Sequence, residues 1–191
     1  MSLETEARPV RSPAKASDLL LRVRRELERA ASPRRAAQAQ AYMKSAMPYH
    51  GVATPRVRKT CQRIFAELEL PGRAMWLDQV RSLWRGAKFR EERYAAIELT
   101  GHKLAKTFQT LSAMPLYEEI IVTGAWWDFV DVVASRRVGP ILRDHPAPMK
   151  RRMRAWSKSG NLWKRRASIL CQLGFKQETD RSSPLVPGPR P

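Results

Sequence analysis

The amino-acid sequence predicts an all-α protein, built as a HEAT-like or armadillo-type superhelix of antiparallel helix pairs. Apolar residues recur at the three- and four-residue spacing of helices along most of the chain. Short turns with Pro, Gly or Ser separate these segments, so that a helix pair recurs about every 35 to 45 residues. No stretch shows the sustained apolar–polar alternation typical of a half-buried strand. Because the helix pairs share little sequence identity, only their regular spacing supports a repeat. A compact irregular helix bundle is the alternative.

Five helices are predicted in the first half of the chain. Ser17 or Asp18 caps the first helix, since a short polar side chain there accepts a hydrogen bond from a free backbone N–H. Ser32 and Pro33 open the second helix, because proline fits the first helical turn. The predicted spans are 19–30, 34–47, 54–70, 76–84 and 89–99.

Five more helices are predicted in the second half, at 107–112, 115–122, 126–137, 148–157 and 161–175. Together the helices would form one domain over residues 17–176, with a core large enough to fold alone. The polar segment 1–16 and the Pro-rich segment 177–191 lack apolar periodicity. Both are therefore predicted to be disordered tails.

The charge of the chain favours a polyanionic partner. Lys and Arg number 36 against 18 Asp and Glu, which gives a formal net charge of +18. Basic side chains release counterions when they contact phosphates, so this surplus and the tryptophan content indicate a nucleic acid. The alternative interpretation is a charged surface with basic tails.

The cysteines and histidines argue against metal and redox chemistry. Cys61 and Cys171 lie far apart among apolar neighbours, which predicts reduced, buried thiols and a cytoplasmic location. His50, His102 and His145 lack the partners of a metal site, so neither a metal nor a cofactor is expected. The N-terminus has no apolar core for a signal peptide, and no apolar run approaches the ~20 residues of a membrane span. We expect a soluble monomer.

Two charged residues and a tryptophan stand out on apolar helix faces. Trp127 and Asp131 are four residues apart, so both lie along one edge of the apolar stripe of the helix predicted at 126–137. Arg166 falls at the centre of the stripe of the last helix. Burying a carboxylate or a guanidinium on such a face costs free energy, so the group is expected either to pair with an opposite charge or to have a function. These residues are therefore candidates for a functional site.

Four segments of the chain form a recognisable pattern: Ala41-Tyr42-Met43-Lys44, Gly51-Val52-Ala53-Thr54-Pro55, Ile121-Val122-Thr123-Gly124-Ala125-Trp126-Trp127-Asp128-Phe129-Val130-Asp131 and Asn161-Leu162-Trp163-Lys164-Arg165-Arg166-Ala167-Ser168-Ile169-Leu170. In order and spacing they resemble the AlkD family, the alkylation-repair DNA glycosylases built of HEAT-like repeats. The resemblance covers roughly residues 15–176, and its Trp-Trp-Asp-x-Val-Asp block is specific. It implies an all-α superhelix that cradles duplex DNA and hydrolyses the N-glycosidic bond of cationic N3- or N7-alkylated purines.

The resemblance also implies a role for each leading residue. Asp131 would be the catalytic carboxylate that stabilises the sugar cation and positions water, and Trp127 would pack against the sugar and lesion. Arg166 would bind a phosphate near the lesion, and Tyr42 would line the cleft. From the charge pattern we add a set of basic residues expected on the concave, DNA-binding face: Lys44, Arg56, Arg58, Lys59, Arg151 and Arg152.

Each role has a structural alternative. Trp127 could be a core residue, Asp131 and Arg166 could form a purely structural ion pair, and Tyr42 could be an ordinary groove-wall aromatic. If they form a cleft, Asp131 and Arg166 should be partly open to solvent. Among the neighbouring residues, we assign Asp128 to helix capping, Trp126 to the core and Arg165 to the surface.

The C-terminus departs from the family pattern. After Gln177 the family continues with further helices and an aromatic that completes the cleft, whereas this chain has a Pro-rich segment. We expect apolar surface to be exposed on the helix at 161–175, and slow or absent activity beside a longer relative. A non-catalytic HEAT-repeat DNA-binding or scaffold protein is therefore the alternative function.

Overall fold

The computed structural model describes residues 16–175, and every regular element in that range is a helix. Apart from Ala16, the tails predicted at 1–16 and 177–191 lie outside the described residues. No helix in the described part of the chain has the length and apolar character that a membrane crossing requires. The α-helices are α1 (Ala16–Arg29), α2 (Pro33–Met43), α3 (Thr54–Phe65), α4 (Arg73–Arg85), α5 (Arg90–Thr100), α6 (Met114–Gly124), α7 (Trp127–Val133), α8 (Gly139–Asp144), α9 (Pro146–Ser157) and α10 (Leu162–Leu170).

Consecutive helices pack in pairs. Short turns join α4 to α5, α6 to α7 and α9 to α10, and the two members of each pair contact each other extensively. The pairs stack side by side, since α5 also packs on α3 and α7, and α10 also packs on α6 and α7. This arrangement confirms the predicted all-α, HEAT-like architecture of helix pairs.

One continuous apolar core runs through the stack. Its largest fully buried side chains include Trp76, Tyr117, Phe65 and Phe129, which come from four different helices. Cys61 and Cys171 are buried free thiols, as predicted. Burial raises the pKa of the Cys171 thiol to about 12, so this sulfur stays protonated near neutral pH.

Three predicted helices between residues 34 and 113 are corrected, and one of them, predicted at 54–70, ends at Phe65. The helix predicted at 34–47 ends at Met43, because Lys44 adopts a left-handed backbone with φ 47° and the Ser45 side chain closes the next turn. The segment predicted as a helix at 107–112 instead falls across two 3₁₀ helices, Lys103–Phe108 and Leu111–Ala113. Gln109 separates them, since its amide donates to backbone carbonyls of the preceding segment.

Two predicted helices in the second part are also corrected. The helix predicted at 126–137 is α7 followed by a π-helical segment, Ala134–Val138, which leads directly into α8. The helix predicted at 161–175 ends at Leu170 and continues only as turns to Phe175. In both cases the apolar period persists beyond the true helix end, which is why periodicity misplaces the boundary.

The loop before α3 is held by a buried carboxylate. Glu91 accepts hydrogen bonds from the backbone N–H groups of His50, Gly51 and Val52, at 2.9, 2.8 and 3.0 Å. Gly51 has a φ of +80°, and a Cβ there would lie 2.2 Å from the carbonyl oxygen of Ser32. The loop therefore requires glycine at this position, and Glu91 fixes its path.

The neighbouring Glu92 has a fully buried side chain and joins α1 to α5. It accepts two hydrogen bonds from the Arg24 guanidinium, at 2.8 and 2.9 Å, and one from the Lys88 N–H, and it lies 3.2 Å from the His50 ring. Burial alone would raise the pKa of Glu92, but the hydrogen bonds from Arg24, His50 and Lys88 outweigh burial and lower it to about 2. Glu92 therefore stays ionised in the core.

We expect Glu92 to make the fold acid-sensitive. Because its pKa is lowered from 4.5 to about 2 on folding, its stabilisation is complete above pH 4.5 and is lost as the pH falls toward 2. Glu92→Gln should lower the free energy of unfolding near neutral pH by about 3 kcal/mol and remove that part of the acid dependence. Urea denaturation across pH checks this, with the exposed Glu69→Gln as control. Equal stability of the two variants would contradict it.

Candidate nucleic-acid interface

Trp127 lies on the surface at the start of α7. The chain reverses just before it, where Ala125 adopts a left-handed backbone with φ 43° and Trp126 is extended. The buried face of α7 consists of Phe129, Val130 and Val133, whereas Trp127 is 44% exposed. Trp127 is therefore not a core residue, and its indole is available to a ligand.

Asp131 lies one turn after Trp127 and is paired with Arg166 of α10. The guanidinium donates two hydrogen bonds to the carboxylate, at 2.6 and 2.7 Å. The Asp131 and Arg166 side chains are 33% and 41% exposed, so the pair is open to solvent, as expected for a cleft. The hydrogen bond to Asp131 raises the pKa of Arg166. The geometry brings together all three residues that the sequence singled out on apolar faces.

Small residues allow α10 and the turn after it to pack closely on α7 and on the start of α8, which a π-helical segment joins to α7. Ala167 and Ser168 are buried on α10, and a Cβ at Gly139 would lie 2.6 Å from the carbonyl oxygen of Cys171, which follows α10. At the other end of α10, the rings of Trp163 and Trp126 lie 6.2 Å apart. These contacts fix α10 at both ends and place Arg166 opposite Asp131.

The assignment of Asp128 to helix capping is wrong, because the N-cap of α7 is Trp126, no side chain caps that end, and the main partners of Asp128 lie on another helix. Arg90 of α5 donates two hydrogen bonds to the Asp128 carboxylate, at 2.6 and 3.1 Å, and Tyr94 donates a third at 2.6 Å. The Arg90 and Asp128 side chains are 7% and 11% exposed. Burial alone would lower the pKa of Arg90, but its bonds to Asp128 raise it, so the guanidinium stays charged.

Arg90 is held on two further sides. Its guanidinium lies 4.3 Å from the centroid of the Phe129 ring and donates a hydrogen bond to the Ser45 hydroxyl, in the turn after α2. Burial and the Asp128 carboxylate raise the pKa of Tyr94, so its phenol remains a hydrogen-bond donor. The start of α7 is therefore locked to α5 beside the exposed Trp127.

Tyr42 lines an open pocket connected to this buried pair. Tyr42 is 78% exposed and borders a pocket of about 220 Å³ that Tyr49 and Tyr94 also line. The Tyr94 hydroxyl, 3.5 Å from that of Tyr49, bonds to Asp128, the neighbour of Trp127 in sequence. A chain of polar contacts thus connects the Tyr42 pocket to the start of α7.

The predicted basic set lies on several helices. Lys44, Arg56 and Lys59 are exposed near α2 and α3, and none of them forms an ion pair within residues 16–175. Arg58 differs, because it donates to Glu98 of α5 at 3.0 Å. The last two members, Arg151 and Arg152, lie on α9, which packs on α8 and α10.

Sequence reasoning missed Arg90 and Tyr94, the partners of Asp128. A signal was present, since α5 combines a charged first turn with an otherwise apolar face, and eight of its eleven residues are buried. Charged residues in such a helix need partners. Within the described part of the chain, no group of three or more His, Cys, Asp or Glu side chains is placed to hold a metal ion.

A comparison with protein families gives a match over most of the chain. A family model described as DNA alkylation repair enzyme matches residues 23–185, which is most of the chain. The matched region contains Tyr42, Trp127, Asp131 and Arg166. No curated protein matches the chain significantly.

The two carboxylates of α7 should differ in what they contribute to stability. Asp128→Asn leaves Arg90 without its partner in the core and should lower the free energy of unfolding by about 3 kcal/mol or more. Asp131→Asn removes an exposed pair and should cost about 1 kcal/mol or less. Urea denaturation of both variants at neutral pH checks this. If Asp131→Asn were the more destabilising change, Asp131 would be the structural carboxylate.

Proposed function

The chain belongs to the DNA alkylation repair enzyme family, and from that membership we propose that it is a DNA glycosylase acting on alkylated duplex DNA. Its substrates would be cationic N3- or N7-alkylated purines, and the bond hydrolysed would be the N-glycosidic bond. It would act as a monomer without a metal or cofactor. The observation that carries the proposal is the exposed pair of Trp127 and Asp131 on one turn of α7, with Arg166 opposite.

The proposed roles follow from the charge of the substrate. An alkylated purine of this kind is a cation, and its departure leaves a sugar with oxocarbenium character. The face of an aromatic ring attracts a cation, so the exposed indole of Trp127 suits the lesion or the sugar. A carboxylate nearby stabilises the developing positive charge and can position the attacking water. Asp131 would supply that carboxylate.

The pairing of Asp131 with Arg166 is compatible with this role. An ionised carboxylate has about four lone-pair sites, and a two-point bond from an arginine occupies two of them. At 33% exposure, Asp131 retains acceptor capacity that water can reach. Arg166 would orient the carboxylate, and at 41% exposure its guanidinium can also reach a DNA phosphate.

The surrounding positive charge would hold the DNA. The exposed Lys44, Arg56 and Lys59 have no ion-pair partner within residues 16–175, so their charge is available to phosphates. Tyr42 would border the same cleft from α2. Arg58 would have to leave Glu98 to contact DNA, whereas Arg151 and Arg152 would bind from α9.

A second candidate is a non-catalytic DNA-binding or scaffold protein. Two observations favour it. Both carboxylate oxygens of Asp131 already accept hydrogen bonds from Arg166. In addition, α10 and the turn after it carry three apolar side chains that are more than half exposed, Leu162 at 57%, Ile169 at 51% and Leu173 at 64%. An exposed apolar surface on a repeat array is typical of a place where another element or a partner packs. Base release distinguishes the two candidates.

We expect Asp131→Asn to abolish base excision but not DNA binding. The variant keeps the shape of the side chain and removes its charge, so stabilisation of the sugar cation is lost. The release of 7-methylguanine or 3-methyladenine from methylated duplex DNA should fall at least about a hundredfold per folded molecule. Asp144→Asn, at the exposed end of α8, makes the same charge change and is the control. Undiminished release by Asp131→Asn would exclude the carboxylate from catalysis, and no release by the wild type would favour the second candidate.

We also expect DNA binding to depend steeply on salt. With six or more phosphate contacts, affinity for duplex DNA should fall by about a thousandfold or more between 50 and 200 mM salt. Arg166→Ala should reduce affinity and base release together, because it removes a phosphate anchor and the partner of Asp131. Fluorescence anisotropy with a labelled duplex measures the affinities. An affinity that does not change with salt would contradict binding through phosphates.

A further inference from the structure

Arg93, on α5, is a half-buried arginine whose charge no carboxylate neutralises. Its guanidinium lies 4.7 Å from the centroid of the Trp84 ring. Its Nε is buried without a hydrogen-bond partner, and within residues 16–175 no acidic side chain pairs with it. Burial, and secondarily the charge of Arg90, lower the pKa of Arg93. An arginine in this setting is costly unless something outside the chain supplies negative charge.

The carboxylate that lines the same pocket as Arg93 is already used by other arginines. Glu119 of α6 accepts hydrogen bonds from Arg81 at 3.1 Å and from Arg85 at 2.6 Å. Burial alone would raise the pKa of Glu119, but the bonds from Arg85 and Arg81 lower it, so this carboxylate is ionised and occupied. Two arginines therefore share this carboxylate, and Arg93, which lines the same pocket, has no acidic partner within residues 16–175.

The aromatic platform under Arg93 is rigid. The Trp84 indole donates a hydrogen bond to the Thr123 hydroxyl at 2.8 Å and meets the Phe129 ring edge-on, with centroids 5.2 Å apart. A guanidinium held over an indole ring by a cation–π contact does not use its N–H donors in that contact. The stack thus holds Arg93 in one orientation without using its hydrogen bonds.

An open pocket lies beside this stack. Trp84, Arg85, Arg93, Glu119 and Thr123 line a space of about 460 Å³, larger than the pocket beside Tyr42. The pocket is adjacent to α7, because Trp84 contacts Phe129 and Thr123 lies four residues before Trp127. It is therefore large enough for a phosphate group and lies near the candidate interface.

We propose that this pocket is a phosphate-binding site in which Arg93, stacked on Trp84, is the principal ligand and Arg85 contributes charge. A planar guanidinium pairs with two phosphate oxygens at once, which would supply the acceptors that Arg93 lacks. The phosphate we assign is one of the DNA backbone, and that assignment rests on the proposed function. The binding of phosphate itself does not.

The test uses the full chain and two probes, with Arg93→Gln as the main variant. With an unmodified duplex, the slope of log affinity against log salt should become less steep by about 0.9, the amount expected for one lost phosphate contact. With inorganic phosphate at constant ionic strength, the rise in Tm relative to chloride should be smaller in the variant. Arg93→Lys, which keeps the charge but loses the planar fork, should lose most of the Tm rise.

Arg25→Gln, on the exposed face of α1, makes the same change in net charge and is the control. Equal changes in Arg93→Gln and Arg25→Gln would overturn the proposal, because they would reflect net charge alone. A lost Tm response with an unchanged DNA slope would support a site for free phosphate and overturn its assignment to DNA. If Arg93→Gln affects neither probe, the stack on Trp84 is structural. Neither probe depends on base release, so a failure of the proposed catalysis is seen separately.

Discussion

The buried ion pair between Arg90 and Asp128 determines where the candidate site lies. Taking two charges out of water is costly, and the cost is offset only when the geometry is good and the remaining donors and acceptors are satisfied. Here Arg90 makes a two-point bond to Asp128, Tyr94 adds a third bond, and Ser45 accepts from the free side of the guanidinium. The pair thereby joins α5, the start of α7 and the turn after α2. Trp127 immediately precedes Asp128 in the chain, so this interaction also fixes where Trp127 lies.

The two aspartates of α7 show how burial separates structural from chemical roles. Both accept a two-point bond from an arginine, yet the Asp128 side chain is 11% exposed and that of Asp131 is 33% exposed. A buried pair fixes helices relative to each other, because breaking it leaves a charge in the core. An exposed pair contributes little to stability and can exchange partners with a ligand. The two carboxylates differ because they meet different helices: Asp128 faces Arg90 of α5 at the start of α7, whereas Asp131, one turn later, faces Arg166 of α10.

The fold also separates the basic residues into those that have an acidic partner and those that do not. Many arginines are used within the structure, where Arg24 binds Glu92, Arg81 and Arg85 bind Glu119, and Arg58 binds Glu98. Others have no acidic partner within residues 16–175, among them Arg56 on the surface and Arg93 beside Trp84. A net charge therefore indicates a polyanion in general terms, but which cations remain available depends on the carboxylates that packing brings near them.

The sequence by itself determined the helical architecture, the buried cysteines, and the spacing that puts Trp127 and Asp131 on one side of a helix. These follow from local rules, because apolar period, caps and the helical repeat act over a few residues. The helix ends at Met43 and Leu170 depended on turns and packing that periodicity does not record. Only the tertiary structure decided that Asp128 is a buried partner of Arg90, 38 residues away, and that Arg93 has no carboxylate. Such pairings are set by which helix faces meet, and that depends on the packing of the whole stack.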